Sequence, residues 1–187
     1  MTSMPTPRAL VAVLALVHGM AWYGGYAHAA GQSAHVHGHA SLQVATEGRT
    51  LELYFDTPAV NIVGFEHAPR SNEQRARVDQ AAARFRTQAL VRLLDADNCE
   101  VIEASVRSEL IQADHGDDDH QDHHGHGHAS FEVNQRVGCD GGSLSGPVHA
   151  TVMDAFKGIE RLQIEWLSDR GQGAATLTGD QRRFRID

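Results

Sequence analysis

CEVIEASVRSELIQADHGDDDHQDHHGHGHASFEVNQRVGC, Cys99 to Cys139, decides how the chain folds. Its left arm opens at Cys99 and places Ile102, Ala104, Val106 and Leu110 on one face of an extended strand. Its right arm carries Phe131, Val133 and Val137 and closes at Cys139. Two apolar arms of similar length around a polar centre predict a long antiparallel hairpin with the centre at its tip. Cys99 and Cys139 are the only cysteines. Paired across the base of such a hairpin they come within bonding distance. Closing a loop of 40 residues stabilises a fold by about 4 kcal/mol in the chain-entropy model.

The centre, Asp114 to His128, holds six histidines, five aspartates, three glycines and one glutamine. It has no apolar residue with which to offset its ordering entropy, so it is expected to be a disordered loop when empty. Imidazole and carboxylate are ligands for zinc and, less selectively, for copper and nickel. Candidate metal ligands here are Asp114, His115, Asp119, His120, Asp122, His123, His124, His126 and His128. The bland alternative is a solvated polar insertion.

Ala9 to Val17 is a short apolar run behind Arg8, followed by Ala27-His28-Ala29. That is the pattern of a secretory signal peptide over residues 1–29, too short in its apolar core to be an anchor. The expected product is a soluble exported domain over 30–187, carrying the His/Asp-rich insertion at 113–128. Export gives the cysteine pair an oxidising compartment. The chain has 16 basic and 24 acidic residues, net −8. Without Arg8 the balance is 15 − 24 = −9. Such a protein attracts cations and repels nucleic acid and anionic lipid; no later apolar run is long enough for membrane insertion.

His35, His37 and His39 alternate at the start of that domain. On an extended strand they share a face and suit a chelating H-x-H pair; a frayed polar terminus is the alternative. Leu42 and Val44, a turn at Glu47-Gly48, then Leu51, Leu53 and Phe55 predict a hairpin with one buried face. Ala59 to Phe65 reads as a short apolar connection. Glu66-His67 is either a ligand pair or a loop-fixing histidine, and the second is favoured. Ser71-x-x-Gln74 is a capping box for a helix that buries Val78, Ala81, Ala82 and Phe85. Val148 to Phe156 reads as a second, short helix, with His149 structural. Leu162, Ile164 and Trp166 alternate as a strand, and Ala175–Leu177 and Phe184–Ile186 as edge strands. The fold class is therefore α+β: mostly antiparallel sheet, one main helix, one short helix, and the histidine-rich loop at a hairpin tip.

One echo is internal. His37-Gly38-His39-Ala40-Ser41-Leu42 recurs as His126-Gly127-His128-Ala129-Ser130-Phe131. If both strands start at one end of a sheet, the histidines converge, and two H-x-H pairs complete a four-nitrogen zinc shell.

HVHGHASLQVATEG (35–48), FDTPAVNIVGFEHAPRSNEQ (55–74) and GIERLQIEWLSDRGQGAATLTG (158–179) resemble the ZrgA family of periplasmic proteins linked to zinc uptake. The resemblance spans essentially the whole domain. It implies a zinc-binding accessory role, with ligands among His35, His37, His39 and the histidines from His115 to His128.

The expected function is thus capture, buffering or delivery of Zn2+, one ion or several, to an uptake system such as a zinc ABC transporter. Cu2+ or Ni2+ binding is the alternative, since copper outranks zinc for the same ligands. A zinc-dependent hydrolase is disfavoured: H-E-x-x-H, G-x-S-x-G and a Gly-rich phosphate loop are all missing from the sequence. Metal affinity should fall as the imidazoles protonate.

Overall fold

The computed structural model describes residues 36–112 and 128–187. Strands β1 (His39–Glu47) and β2 (Thr50–Pro58) form the expected hairpin, with Leu42 and Val44 of one and Leu51, Leu53 and Phe55 of the other buried on the same face. The short helix α1 (Val60–Val63) follows, where the sequence suggested only a connection. Four residues carry no period to read. What ends the turn is Gly64 at φ 86°, whose N–H bonds back to the Val60 carbonyl.

Helix α2 (Asn72–Thr87) buries Val78, Ala81, Ala82 and Phe85, as its spacing predicts. Ser71 Oγ accepts the Gln74 N–H at 3.2 Å, and Gln74 Oε1 accepts the Arg70 N–H at 2.7 Å, so the capping box closes one residue early. The Phe85 ring lies 5.9, 5.7 and 4.8 Å, centroid to centroid, from Phe55, Phe131 and Phe156. This aromatic cluster holds α2 against the sheet.

After β3 (Arg92–Leu93), the arms of the central hairpin are β4 (Ala96–Arg107) and β5 (Ser130–Gly142), paired antiparallel. Cys99 and Cys139 are directly opposite and disulfide-bonded, with Cα atoms 4.1 Å apart. Two details differ from expectation. The register shifts between Val101 and Glu103, so Ile102 is a bulge residue, 61% exposed and lying over Gly138, off the face of Ala104 and Val106. Leu110 is buried from a short helix, α3 (Glu109–Gln112), which ends the arm before the histidine-rich segment. That segment itself, 113–127, lies outside the described residues.

The rest of the chain is β6 (Gly146–His149), α4 (Thr151–Ala155), β7 (Arg161–Ser168), β8 (Gly171–Thr178) and β9 (Arg183–Ile186). The helix expected over 148–156 is therefore split. Val148 and His149 pair with β3 and β9 as strand residues, and only 151–155 turn helical. Six strands make the main sheet in the order β4-β5-β2-β1-β7-β8; β3-β6-β9 make a smaller one. All neighbours are antiparallel except β1 and β7. The fold is α+β, mostly antiparallel. Trp166 and Phe184, ring centroids 6.0 Å apart, join the two sheets.

Gln135 is the polar residue on the buried face of β5, 2% exposed. Its Nε2 donates to the carbonyls of Phe85 and Gln88 at 2.6 and 2.9 Å, and its Oε1 accepts the Leu90 N–H at 3.0 Å. One side chain thus satisfies the unpaired C-terminal carbonyls of α2 and the chain leaving it. Gln135→Leu leaves those buried groups unpaired. It should lower unfolding stability by about 3 kcal/mol, read as a shifted denaturant midpoint at unchanged slope.

Candidate metal centre

Strand β2 lies between β1 and β5 and is antiparallel to both, so β1 and β5 start where β2 ends. Pro58 pairs with Ser130 and Asp56 with Ser41. At this end three segments meet: 36–39 entering β1, 59–67 leaving β2, and 128–130 entering β5. The Ala59 N–H bonds the Ala129 carbonyl at 2.8 Å.

The entry to β1 is fixed through its backbone. Asn61, 5% exposed on α1, accepts the Gly38 N–H at 2.7 Å and donates from Nδ2 to the His39 carbonyl at 2.8 Å and to Thr57 Oγ1 at 2.9 Å. The Gly38 carbonyl accepts from Glu160 and Arg161 at the start of β7, at 2.7 and 2.9 Å. Gly38 sits at φ 81°, and a Cβ there would meet Glu160 at 3.1 Å, so the position needs glycine twice over.

That left-handed residue changes the expected H-x-H geometry. His37 and Gly38 form a turn and the strand begins only at His39, so His37 and His39 do not alternate on one extended face. His39 instead lines a hollow with Lys157, Glu160, Arg161, Asp180 and Arg182. His37 goes to Glu66.

Glu66 is held by its neighbours. Phe65 is buried and stacks on His67 at 5.2 Å, and His67 Nδ1 lies 2.9 Å from the Ala68 carbonyl. Between these anchors the Glu66 side chain is only 14% exposed. His37 Nε2 is 3.4 Å from Oε1 and His128 Nδ1 is 2.7 Å from Oε2. Both rings are mostly exposed, at 64% and 61%. One histidine from each copy of the sequence echo therefore reaches the same carboxylate. Oε1 is within ion-pair range of His37, yet among the described residues it is buried with no hydrogen-bond partner.

Among the described residues no group of three or more His, Cys, Asp or Glu side chains stands ready to hold a metal ion. The four-nitrogen shell is not formed among them. His35, Asp114, His115, Asp119, His120, Asp122, His123, His124 and His126 lie outside the described residues. Sequence reasoning set Glu66 beside its chain neighbour His67; the fold sets it against His128, 62 positions away. The signal was present in the echo, since both copies lead into strands flanking the one whose exit carries Glu66.

His149 is engaged elsewhere. Its Nε2 is 2.5 Å from Asp154 Oδ2, and Arg182 Nε is 3.8 Å from Oδ1. The hydrogen bond from His149, aided by the charges of His149, Lys157 and Arg182, holds the Asp154 carboxyl below its ordinary range.

A family model described as ZrgA family zinc uptake protein matches residues 34–186. The chain belongs to the ZrgA family. The matched span covers every described residue except Asp187 and takes in both cysteines and the segment between them. Comparison with curated proteins returned no match. As a ZrgA family member the chain has a role in zinc uptake, and the histidine convergence at Glu66 lies inside the matched region. Among the described residues no helix is long and apolar enough to cross a membrane.

Two outcomes follow. Asn61→Ala strips partners from Gly38, His39 and Thr57. It should cost about 2 kcal/mol and speed amide exchange at Gly38 while Leu42 in mid-strand stays protected. The Asp154 shift has a definite sign. A carboxyl lowered in the folded state adds stability above its unfolded range, and that stability disappears as pH falls through the folded value. Asp154→Asn should therefore be less stable than the parent at neutral pH, with the two curves meeting in acid below the ordinary carboxylate range.

Proposed function

We propose that this chain is a periplasmic zinc-binding accessory protein that captures and buffers Zn2+ and delivers it to an uptake system such as a zinc ABC transporter. The observation that carries this is the meeting of His37 and His128 on Glu66 at the sheet end where both histidine-bearing segments join the fold. In this reading residues 1–29 direct export and are removed, and 30–187 form one soluble metal-binding domain. Its ligands are drawn from His35, His37, His39, His115, His120, His123, His124, His126 and His128, with Asp114, Asp119 and Asp122. More than one ion can be held by so many donors.

The chemistry suits a carrier. Neutral imidazole and carboxylate form tetrahedral zinc shells, and many near-equivalent sets allow stepwise exchange where a closed shell would trap the ion. The acid-rich composition raises the local cation concentration. The disulfide joins the hairpin arms near the end opposite the histidines, so restraint and binding are kept apart. A binder, not a hydrolase, is supported by the lack of hydrolase signatures in the sequence.

Zinc titration with a competing chelator tests this. The full chain should bind Zn2+ far more tightly than an unrelated acidic protein. Replacing His115, His120, His123, His124 and His126 together by Gln should lower the number of ions bound without lowering the melting temperature of the zinc-free protein. Zinc uptake no better than the acidic control overturns the reading.

A further inference from the structure

We infer that Glu66 is itself a metal ligand, and that Glu66, His37 and His128 make one discrete two-histidine, one-carboxylate zinc site on the folded body. The site is separate from the donors between residues 114 and 127. This rests on the zinc-binding reading above and specifies one site within it.

The first argument is the state of the carboxylate. Glu66 Oε1 is buried and, among the described residues, has the His37 ring 3.4 Å away but no hydrogen-bond donor. Burying such an oxygen without a donor is costly, and a coordinated cation offsets that cost directly. Phe65, buried beside it, and the His67 ring stacked on Phe65 restrain the backbone from which Glu66 projects. The carboxylate is therefore the fixed member of the group.

The second argument is distance. Zn–N bonds of about 2.0–2.1 Å and Zn–O bonds of about 2.0–2.2 Å place neighbouring donors of a tetrahedral shell about 3.4 Å apart. His37 Nε2 and Glu66 Oε1 are 3.4 Å apart, the length of that tetrahedral edge. The contact of His128 Nδ1 with Oε2, at 2.7 Å, is instead a direct hydrogen bond. It must open by about 0.7 Å for a zinc ion to enter between them. Both rings are more than 60% exposed, so a shift of that size disturbs no core packing. As they stand, the three groups do not form a ready shell.

The third argument is topology. His37 is tied to β1 through Gly38 and Asn61, His128 precedes Ser130 at the start of β5, and Glu66 follows the exit of β2. The three donors thus come from three adjacent points on one hydrogen-bonded sheet end. Preorganised donors of this kind bind with less ordering than donors spread along an unstructured chain.

The test uses the full chain with His115, His120, His123, His124 and His126 all replaced by Gln. This parent should still bind one Zn2+, and zinc-edge X-ray absorption should count two imidazoles. Glu66→Gln keeps the shape and an oxygen that accepts the His128 N–H, so a merely structural carboxylate would leave zinc affinity unchanged. As a ligand, its loss should weaken zinc binding by at least the ~10–100-fold that even outer partners of a metal are worth. The melting temperature without zinc should not change. His128→Gln and His37→Gln should weaken binding comparably, and they serve if the Glu66 variant misfolds. A parent that binds no zinc, an imidazole count other than two, or a Glu66→Gln variant that binds as tightly as its parent overturns the site. If the wild-type chain also binds no zinc, the carrier reading falls as well; if only the parent fails, the carrier reading stands without this site.

Discussion

The antiparallel placement of β2 between β1 and β5 is the constraint on which the site depends. It brings two strand entries and one strand exit to the same end of the sheet. Cross-strand hydrogen bonding fixes that end to within a residue, because a one-residue slip would turn Leu42, Phe55 and Val133 out of the core. The positions of His37, Glu66 and His128 are consequences of this register. The core residues that enforce it, above all the Phe55, Phe85, Phe131 and Phe156 cluster, have no metal chemistry of their own.

Much of this was legible because it is periodic. The β1–β2 hairpin and the buried stripe of α2 each repeat a local rule several times over, and the disulfide was legible because the chain has only two cysteines. The misses are places where one residue breaks a rule. Gly38 at positive φ separates His37 from His39, where alternation predicted a shared face. Ile102 occupies a bulge, which leaves no mark in an apolar pattern. Val148 and His149 join a sheet because β3 and β9 offer edges there, a tertiary circumstance that the local sequence does not carry.

Glu66 was illegible for a related reason. Its partners are distant in sequence, and local reading could assign it only to His67. The H-G-H-A-S echo held the missing information, but only the sheet order shows that both copies flank the strand leading to Glu66. Among the described residues, His37 of the first copy and His128 of the second meet the carboxylate.

The distribution of burial within the group bears on how a carrier of the proposed kind would bind firmly and still release. A site with every donor buried loses little entropy on binding but is slow to open; one with every donor exposed exchanges quickly but must order each side chain. Here the carboxylate is largely buried and the two imidazoles are largely exposed. In the proposed site the buried oxygen, without a hydrogen-bond donor among the described residues, would favour an arriving cation, and the exposed rings would be the donors nearest to solvent. Imidazoles are also the donors that surrender a metal when they take up a proton. From the site proposed above, release would therefore begin at the solvent side without unfolding the sheet end that holds Glu66.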